Sequence, residues 1–332
     1  MVAAHKSGDR EALLDWNESP IGPPPMAVKR VIEAAGRLHR YPRGLMEEVT
    51  ALTASHVGVA PEQVLLTAGV DEAVDLTLSL ARRAWALRPG FDGYPDRAEA
   101  NGKPFHGIAL NARWQPPQPP AELGKGDIVY LAQPGNPIGL LLPDEWIEAI
   151  TSEHLLIDET YLDFSSRPRV LTRPERPGRL VYRSFSKAAG LAGIRIGCLI
   201  GEAATIARLE PLRRFMPIDA VSLNAVVGLL EEPDFMTRLT THVLQARPAL
   251  CTLLRDSGLF AEVLECETNF VLAKPTETAR DLIAQRLDQD LVRVKDCAVL
   301  GLPGWLRISV GSWDDQTRLA DVLGRVTTTE KG

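Results

Sequence analysis

A lysine that closes a buried strand and opens into a glycine-rich turn is the feature that most constrains this chain. Residues 184–197 read SFSKAAGLAGIRIG. Leu180–Phe185 is an apolar run of strand length, and Lys187 stands two residues beyond it. Gly190, Gly193, Gly197 and Arg195 follow within ten residues. A lysine at a strand end is ordinarily solvated, but that leaves the glycines, the hydroxyls of Ser184 and Ser186, and Arg195 unexplained. A Schiff-base lysine accounts for all of them. Its amine must be desolvated to lower its pKa. Glycines allow the backbone to approach closely, and hydroxyl and guanidinium groups can hold a phosphate.

The surrounding pattern predicts an α/β chain. Val64–Thr67 reads as a strand that meets a turn at Gly69 and then a helix reaching about Arg83. Helices are expected at 26–36 and 44–57, the second ending at Gly58. Strands are expected at Asp127–Ala132, Leu155–Asp158, Leu180–Phe185 and Ile194–Ile200, with a helix over Pro143–Ser152. Short apolar strands alternating with helices indicate a large, mostly parallel-sheet α/β/α domain. After Pro217 the texture changes. A long helix at 234–256, broken near Pro248, precedes strands at 263–273 and 306–311 and a last helix at 314–326. The expected division is a large domain at 41–219 and a smaller α+β domain made of 1–40 and 220–332.

Composition excludes several function classes. At 332 residues and net charge −6, the chain lacks the clustered cations of a nucleic-acid binder. The basic cluster Arg37, His39, Arg40, Arg43 reads as a solvated face. No apolar run reaches the ~20 residues of a membrane span, and the start, MVAAHKSGDREALLDW, has no apolar leader core. The four cysteines, Cys198, Cys251, Cys266 and Cys297, form no CxxC. The six histidines are isolated, so no metal site is expected. Scattered thiols suit a reducing cytoplasm.

The segment SFSKAAGLAGIRIG resembles the lysine segment of fold-type-I, pyridoxal-phosphate-dependent aminotransferases of class I/II, in particular the histidinol-phosphate aminotransferase branch. The resemblance continues in order along nearly the whole chain. It includes WNESPIGP at 16–23, RYP at 40–42, GVDE at 69–72, PGNPIG at 134–139, DETY at 158–161 and LRISVG at 306–311. It implies the fold-type-I architecture and pyridoxal 5'-phosphate as cofactor.

The resemblance assigns roles residue by residue. Lys187 would bond the cofactor and move the α-proton. Asp158 would keep the pyridine nitrogen protonated. Asn136 and Tyr161 would hydrogen-bond the ring's phenolic oxygen; read alone, Asn136 is a turn residue and Tyr161 core. Arg195, Ser184 and the backbone of Gly69, Val70 and Asp71 would hold the phosphate at a helix N-terminus, with the Asp71 carboxylate capping that helix. Phe91 would stack on the ring, or else simply pack in the core. Tyr41 would reach the neighbouring subunit's phosphate, which implies a homodimer with shared sites. Arg307, mid-strand between apolar neighbours, would grip the substrate carboxylate in a fork; its alternative is a buried salt bridge. Arg293 would meet a distal phosphate, or be a surface strand residue. Asn17 and Ile21 would line the substrate side, and Asn269 is read as structural.

The chain departs from the branch on the substrate side. Ile21 stands where an aromatic is usual, and Pro217-Ile218-Asp219 replaces a Pro-aromatic-Asn run. The region 84–126 is abbreviated. The expected function is amino transfer from an amino acid or related amine to a carbonyl acceptor. A decarboxylase like those acting on threonine phosphate, a lyase or cyclase on the same scaffold, and a non-catalytic binding protein are the alternatives.

Overall fold

The computed structural model describes residues 11–167 and 177–330, and the expectation that the start of the chain has no apolar leader core falls, for residues 1–10, outside the described residues. The first strand, β1 (Ala12–Leu14), stands apart from the next seven. β2 (Val64–Thr67), β3 (Arg83–Arg88), β4 (Phe105–Ala109), β5 (Asp127–Ala132), β6 (His154–Asp158), β7 (Arg179–Ser184) and β8 (Gly197–Gly201) form one sheet in the order β2-β8-β7-β6-β5-β3-β4. The run from β7 to β4 is parallel, and β8 is antiparallel to both β7 and β2.

Both faces of this sheet are covered, which is why its central strands are continuous apolar runs. Ile128 and Tyr130 of β5 join a cluster with Val74, Tyr94 and Ile206 from three helices. Val129 and Leu131, offset by one residue and so on the other face, pack with Trp146 and Ile147. A larger cluster joins Val181 and Ile200 to the helices Leu45–Val57, Ala220–Leu230 and Asp234–Asp256, and onward to the second sheet. That sheet comprises β9 (Phe260–Leu264), β10 (Phe270–Pro275), β11 (Val292–Asp296) and β12 (Leu306–Ser309) with β1, in the order β1-β11-β12-β10-β9.

Three local expectations change. The helix after Gly69 ends at Leu78, and Arg83 begins β3 rather than ending a helix. The apolar run at 263–273 is two antiparallel strands joined by a turn, not one. Helix Asp234–Asp256 continues through Pro248. Pro248 and Leu244 both face solvent, so water can satisfy the Leu244 carbonyl that proline leaves without a donor, while Val243, Ala246, Leu250 and Leu254 stay buried on the packed face.

Candidate active site

Parallel α/β sheets bind ligands beyond the carboxyl ends of their strands, and here three such ends meet. Ala132 on β5, Asp158 on β6 and Tyr182 on β7 stand in register. Asn136 follows β5, Asp158 closes β6, and Ser184 closes β7. They open on a cleft of about 710 Å³ that Lys187, Arg195, Tyr161, Phe91, Val70, Asn17 and Arg307 also line.

The Lys187 amine donates to the Trp16 carbonyl at 2.7 Å. Its pKa is pushed down to about 8, chiefly by burial and then by the Arg307 charge. Asp158 lies at the cleft floor, 6% exposed. Its Oδ1 accepts from Thr160 N at 3.0 Å and Thr160 Oγ1 at 2.5 Å, and its Oδ2 accepts from the Tyr94 hydroxyl at 2.9 Å. Burial raises its pKa, and these donors oppose the rise.

At one end of the cleft, the helix Gly69–Leu78 presents its N-terminus to Arg195. Arg195 sits in the left-handed region at φ 52°, uncommon for a residue with a side chain. Its Nη1 reaches Ser186 Oγ at 3.5 Å, and the Ser184 hydroxyl accepts from Ser186 N at 3.0 Å. Hydroxyls, a guanidinium and free helix N–H groups are the donor set a phosphate requires. The expected Asp71 cap is corrected: that helix has no side-chain cap. Asp71 instead faces Arg195 at 3.8 Å, and Glu72 accepts from Ala68 N at 2.5 Å, the longer side chain reaching back over the turn.

At the other end, Arg307 is 7% exposed. Its Nη1 donates to Asn136 Oδ1 at 2.7 Å and its Nη2 to the Asp15 carbonyl at 2.6 Å, while its buried Nε has no partner. No carboxylate pairs with it among the described residues, so the salt-bridge alternative does not describe it. An orphaned donor on a buried guanidinium lining a cleft fits an anionic ligand. Asn17 is held at φ 56°, its Nδ2 donating to the Tyr161 hydroxyl at 3.0 Å and its Oδ1 accepting from Ser309 at 2.9 Å. Asn269 donates to the Asn17 carbonyl at 3.0 Å. These bonds tie the N-terminal arm to β12 and to Tyr161.

Several substrate-side residues lie elsewhere. Arg293 does not line the cleft; it pairs with Glu11 and, at 2.9 Å, with Asp288. On the same strand it is Lys295 that lines the cleft, directly opposite Arg307 in the β11–β12 register. Ile21 also lies outside the cleft lining. Ile218 is buried in the core, and Asp219 caps the helix Ala220–Leu230 by accepting from Ser222 N at 2.9 Å. Tyr41 is 69% exposed and outside this chain's own cleft. The sequence names Ser186 only as one of the hydroxyls around the lysine, and does not single out Thr160, Tyr94 or Lys295. Ser186 flanks the lysine and Thr160 lies two residues past Asp158, a spacing that suits an Asx turn. Nothing local marks Tyr94.

Comparison with known proteins gives the family and the fold. The family model for aminotransferase class I and II matches residues 11–323. Histidinol-phosphate aminotransferase 1 of Thiobacillus denitrificans is 31% identical, over 95% of this chain and 85% of that protein. Histidinol-phosphate aminotransferase of Methanothermobacter thermautotrophicus is 27% identical, over 94% of this chain and 88% of that one. The crystal structure of histidinol-phosphate aminotransferase from Sinorhizobium meliloti in complex with pyridoxal-5'-phosphate superposes with TM-score 0.83 at 24% identity, covering 96% of this chain and 91% of that chain, a likeness of fold.

Proposed function

The chain belongs to the aminotransferase class I and II family, and on that premise we propose how its own residues carry out amino transfer and on what kind of substrate. The protein is a pyridoxal-phosphate-dependent aminotransferase of fold type I. The observation that carries the assignment of roles is the meeting of Lys187, its amine lowered to about 8, with the buried Asp158 and the half-satisfied Arg307 in one cleft.

When bound, the cofactor supplies an electron sink for negative charge at the substrate's α-carbon. Lys187 Nζ would hold the cofactor and would be the group that takes and returns the α-proton, burial having brought its amine down to about 8 in the cofactor-free chain. Asp158 would hold a proton on the ring nitrogen. Asn136 and Tyr161 would hydrogen-bond the ring's phenolic oxygen, and Phe91 would stack on the ring. Arg195, Ser184, Ser186 and the helix N-terminus at Gly69, Val70 and Asp71 would anchor the phosphate. Arg307 takes an anionic group of the substrate, exchanging the Asp15 carbonyl for it.

Lys295 beside Arg307 supports a substrate with a strongly anionic end, and histidinol phosphate, named in the relatives, meets that requirement. The reading also includes a cytoplasmic homodimer. Ile32, Leu38, Tyr41 and Phe215 are large apolar side chains more than half exposed on the single chain, which supports a partner that covers them. All four cysteines are free and buried, as suits a reducing compartment. Among the described residues no helix is long and apolar enough to cross a membrane.

The test is a panel of amino donors, with histidinol phosphate, glutamate, an aliphatic and a basic amino acid, added singly to the loaded enzyme. A change in cofactor absorbance that a keto acid reverses establishes both amino transfer and donor class. Release of carbon dioxide without that change would overturn the reading.

A further inference from the structure

Asp158 is buried and, among the described residues, forms no ion pair. Arg183, the guanidinium whose charge acts on it, is engaged by Glu159 and Asp163, and the two carboxylate oxygens are served by the neutral donors Thr160 and Tyr94. Thr160 is local to Asp158, two residues on. Tyr94 comes from 64 residues away and is 2% exposed.

The Tyr94 phenol cannot turn aside. Its ring stacks on Tyr130 with centroids 5.1 Å apart and planes 15° from parallel. The edge of Phe91 meets it at 5.2 Å and 83°. Tyr130 is itself tethered to the Thr77 hydroxyl at 3.0 Å. Gly93 makes the arrangement possible, because a Cβ there would stand 2.3 Å from the Phe91 ring. Phe91, Gly93 and Tyr94 thus form one unit that places an aromatic at the cleft and a hydroxyl on Asp158. Burial, with the Asp158 charge, raises the Tyr94 pKa well above its ordinary value, so the phenol is a donor at every working pH.

We propose that Tyr94 is a positioning residue that acts through Asp158 to keep the shared proton on the ring nitrogen of the bound cofactor. The inference rests on the role given above to Asp158. A hydrogen bond donated to a carboxylate stabilises its charged form. Withdrawing the Tyr94 donor makes Asp158 a stronger base, and the proton between carboxylate and ring moves toward the carboxylate. The ring nitrogen then carries less positive charge and withdraws electrons less well from the α-carbon. Tyr161, Tyr182, Thr160 and Arg183, which also face Asp158, are untouched by this change.

The experiment loads the enzyme with cofactor labelled with nitrogen-15 in the ring and records its resonance. In Tyr94→Phe the resonance should move toward the unprotonated pyridine position, cofactor affinity should hold, and kcat should fall about tenfold, the worth of one hydrogen bond to a charged group. Replacing Tyr94 with para-aminophenylalanine keeps the ring and a weaker donor, and should move the resonance the same way by less; it decides the matter if Tyr94→Phe fails to fold or load. A resonance that stays in place in the loaded variants overturns the proposal, whatever happens to turnover. Asp158→Asn is the reference. If it moves the resonance and the Tyr94 variants do not, the Tyr94 inference alone fails; if it does not, the role of Asp158 fails with it.

Discussion

A methyl group on Gly69 would stand 2.9 Å from Nη2 of Arg195. The glycine at the helix start and the arginine of the lysine segment, 126 residues apart in the chain, are packed so closely that a Cβ fits only if the guanidinium moves. Gly69 also has φ +80°, a conformation that costs roughly 1–2 kcal/mol for a residue with a Cβ. Gly69→Ala should therefore displace Arg195 and weaken cofactor binding on the order of tenfold or more, as read by fluorescence titration of the cofactor-free protein. Unchanged affinity would remove this end of the cleft from the phosphate site.

Lys187 sets a pH dependence. With its pKa pushed down to about 8, the amine becomes a free nucleophile as pH rises through that value, so cofactor attachment to the cofactor-free protein should accelerate through about pH 8. The same shift predicts a stability trend. Between about 8 and 10.5 the unfolded chain still holds the proton that the folded chain has released. Stability of the cofactor-free protein therefore rises with pH across that window, and Lys187→Met should flatten the rise in chemical denaturation. Borohydride reduction of the loaded enzyme should leave cofactor mass on the Lys187 peptide and on no other.

Asp158→Asn should retain the cofactor and lose the charge that protonates the ring. Preorganised electrostatic effects of this kind are worth roughly 3–4 kcal/mol, so steady-state turnover should fall on the order of 10²–10³. Near-normal turnover would contradict the role given to Asp158.

Lys295 and Arg293 separate cleanly. Arg293 is engaged by Glu11 and Asp288 away from the cleft, so Arg293→Ala should leave kcat/KM for histidinol phosphate nearly unchanged. Lys295→Ala should lower it about tenfold, the worth of one charge-assisted contact, and leave a substrate without the anionic end unaffected. The reverse ranking would restore Arg293 to the substrate.

Shared sites can be tested by mixing. If Tyr41 serves the partner's site, Lys187→Ala and Tyr41→Ala chains, each inactive alone, should regain activity when co-refolded, because a hybrid dimer holds one intact site. Full activity in a species that sediments as a monomer would falsify the shared-site reading.

The residues legible in the sequence are those whose role is written locally. Lys187 with its hydroxyls and glycines, Asp158 at a strand end, and the run Pro134–Gly139 announce themselves because a tight turn or a strand terminus restricts which residues can stand there. The alternation of apolar strands and helices likewise determined the layered α/β class, since that class follows from local periodicity. Tertiary packing decided the rest. Whether Arg293 or Lys295 faces Arg307 depends on which strand neighbours which, and β11 lies between β1 and β12, giving Arg293 to Leu13 on one side and Lys295 to Arg307 on the other. Pro248 inside a continuous helix depended on which face of that helix met solvent. The bond from Tyr94 to Asp158 required helix Gly93–Ala100 to pack against β3, β4 and helix Gly69–Leu78, with the Tyr94 side chain reaching Tyr130 on β5 and Asp158 on β6. Contacts between residues distant in sequence form only when the chain closes its loops and buries a common face, and no local pattern encodes that choice.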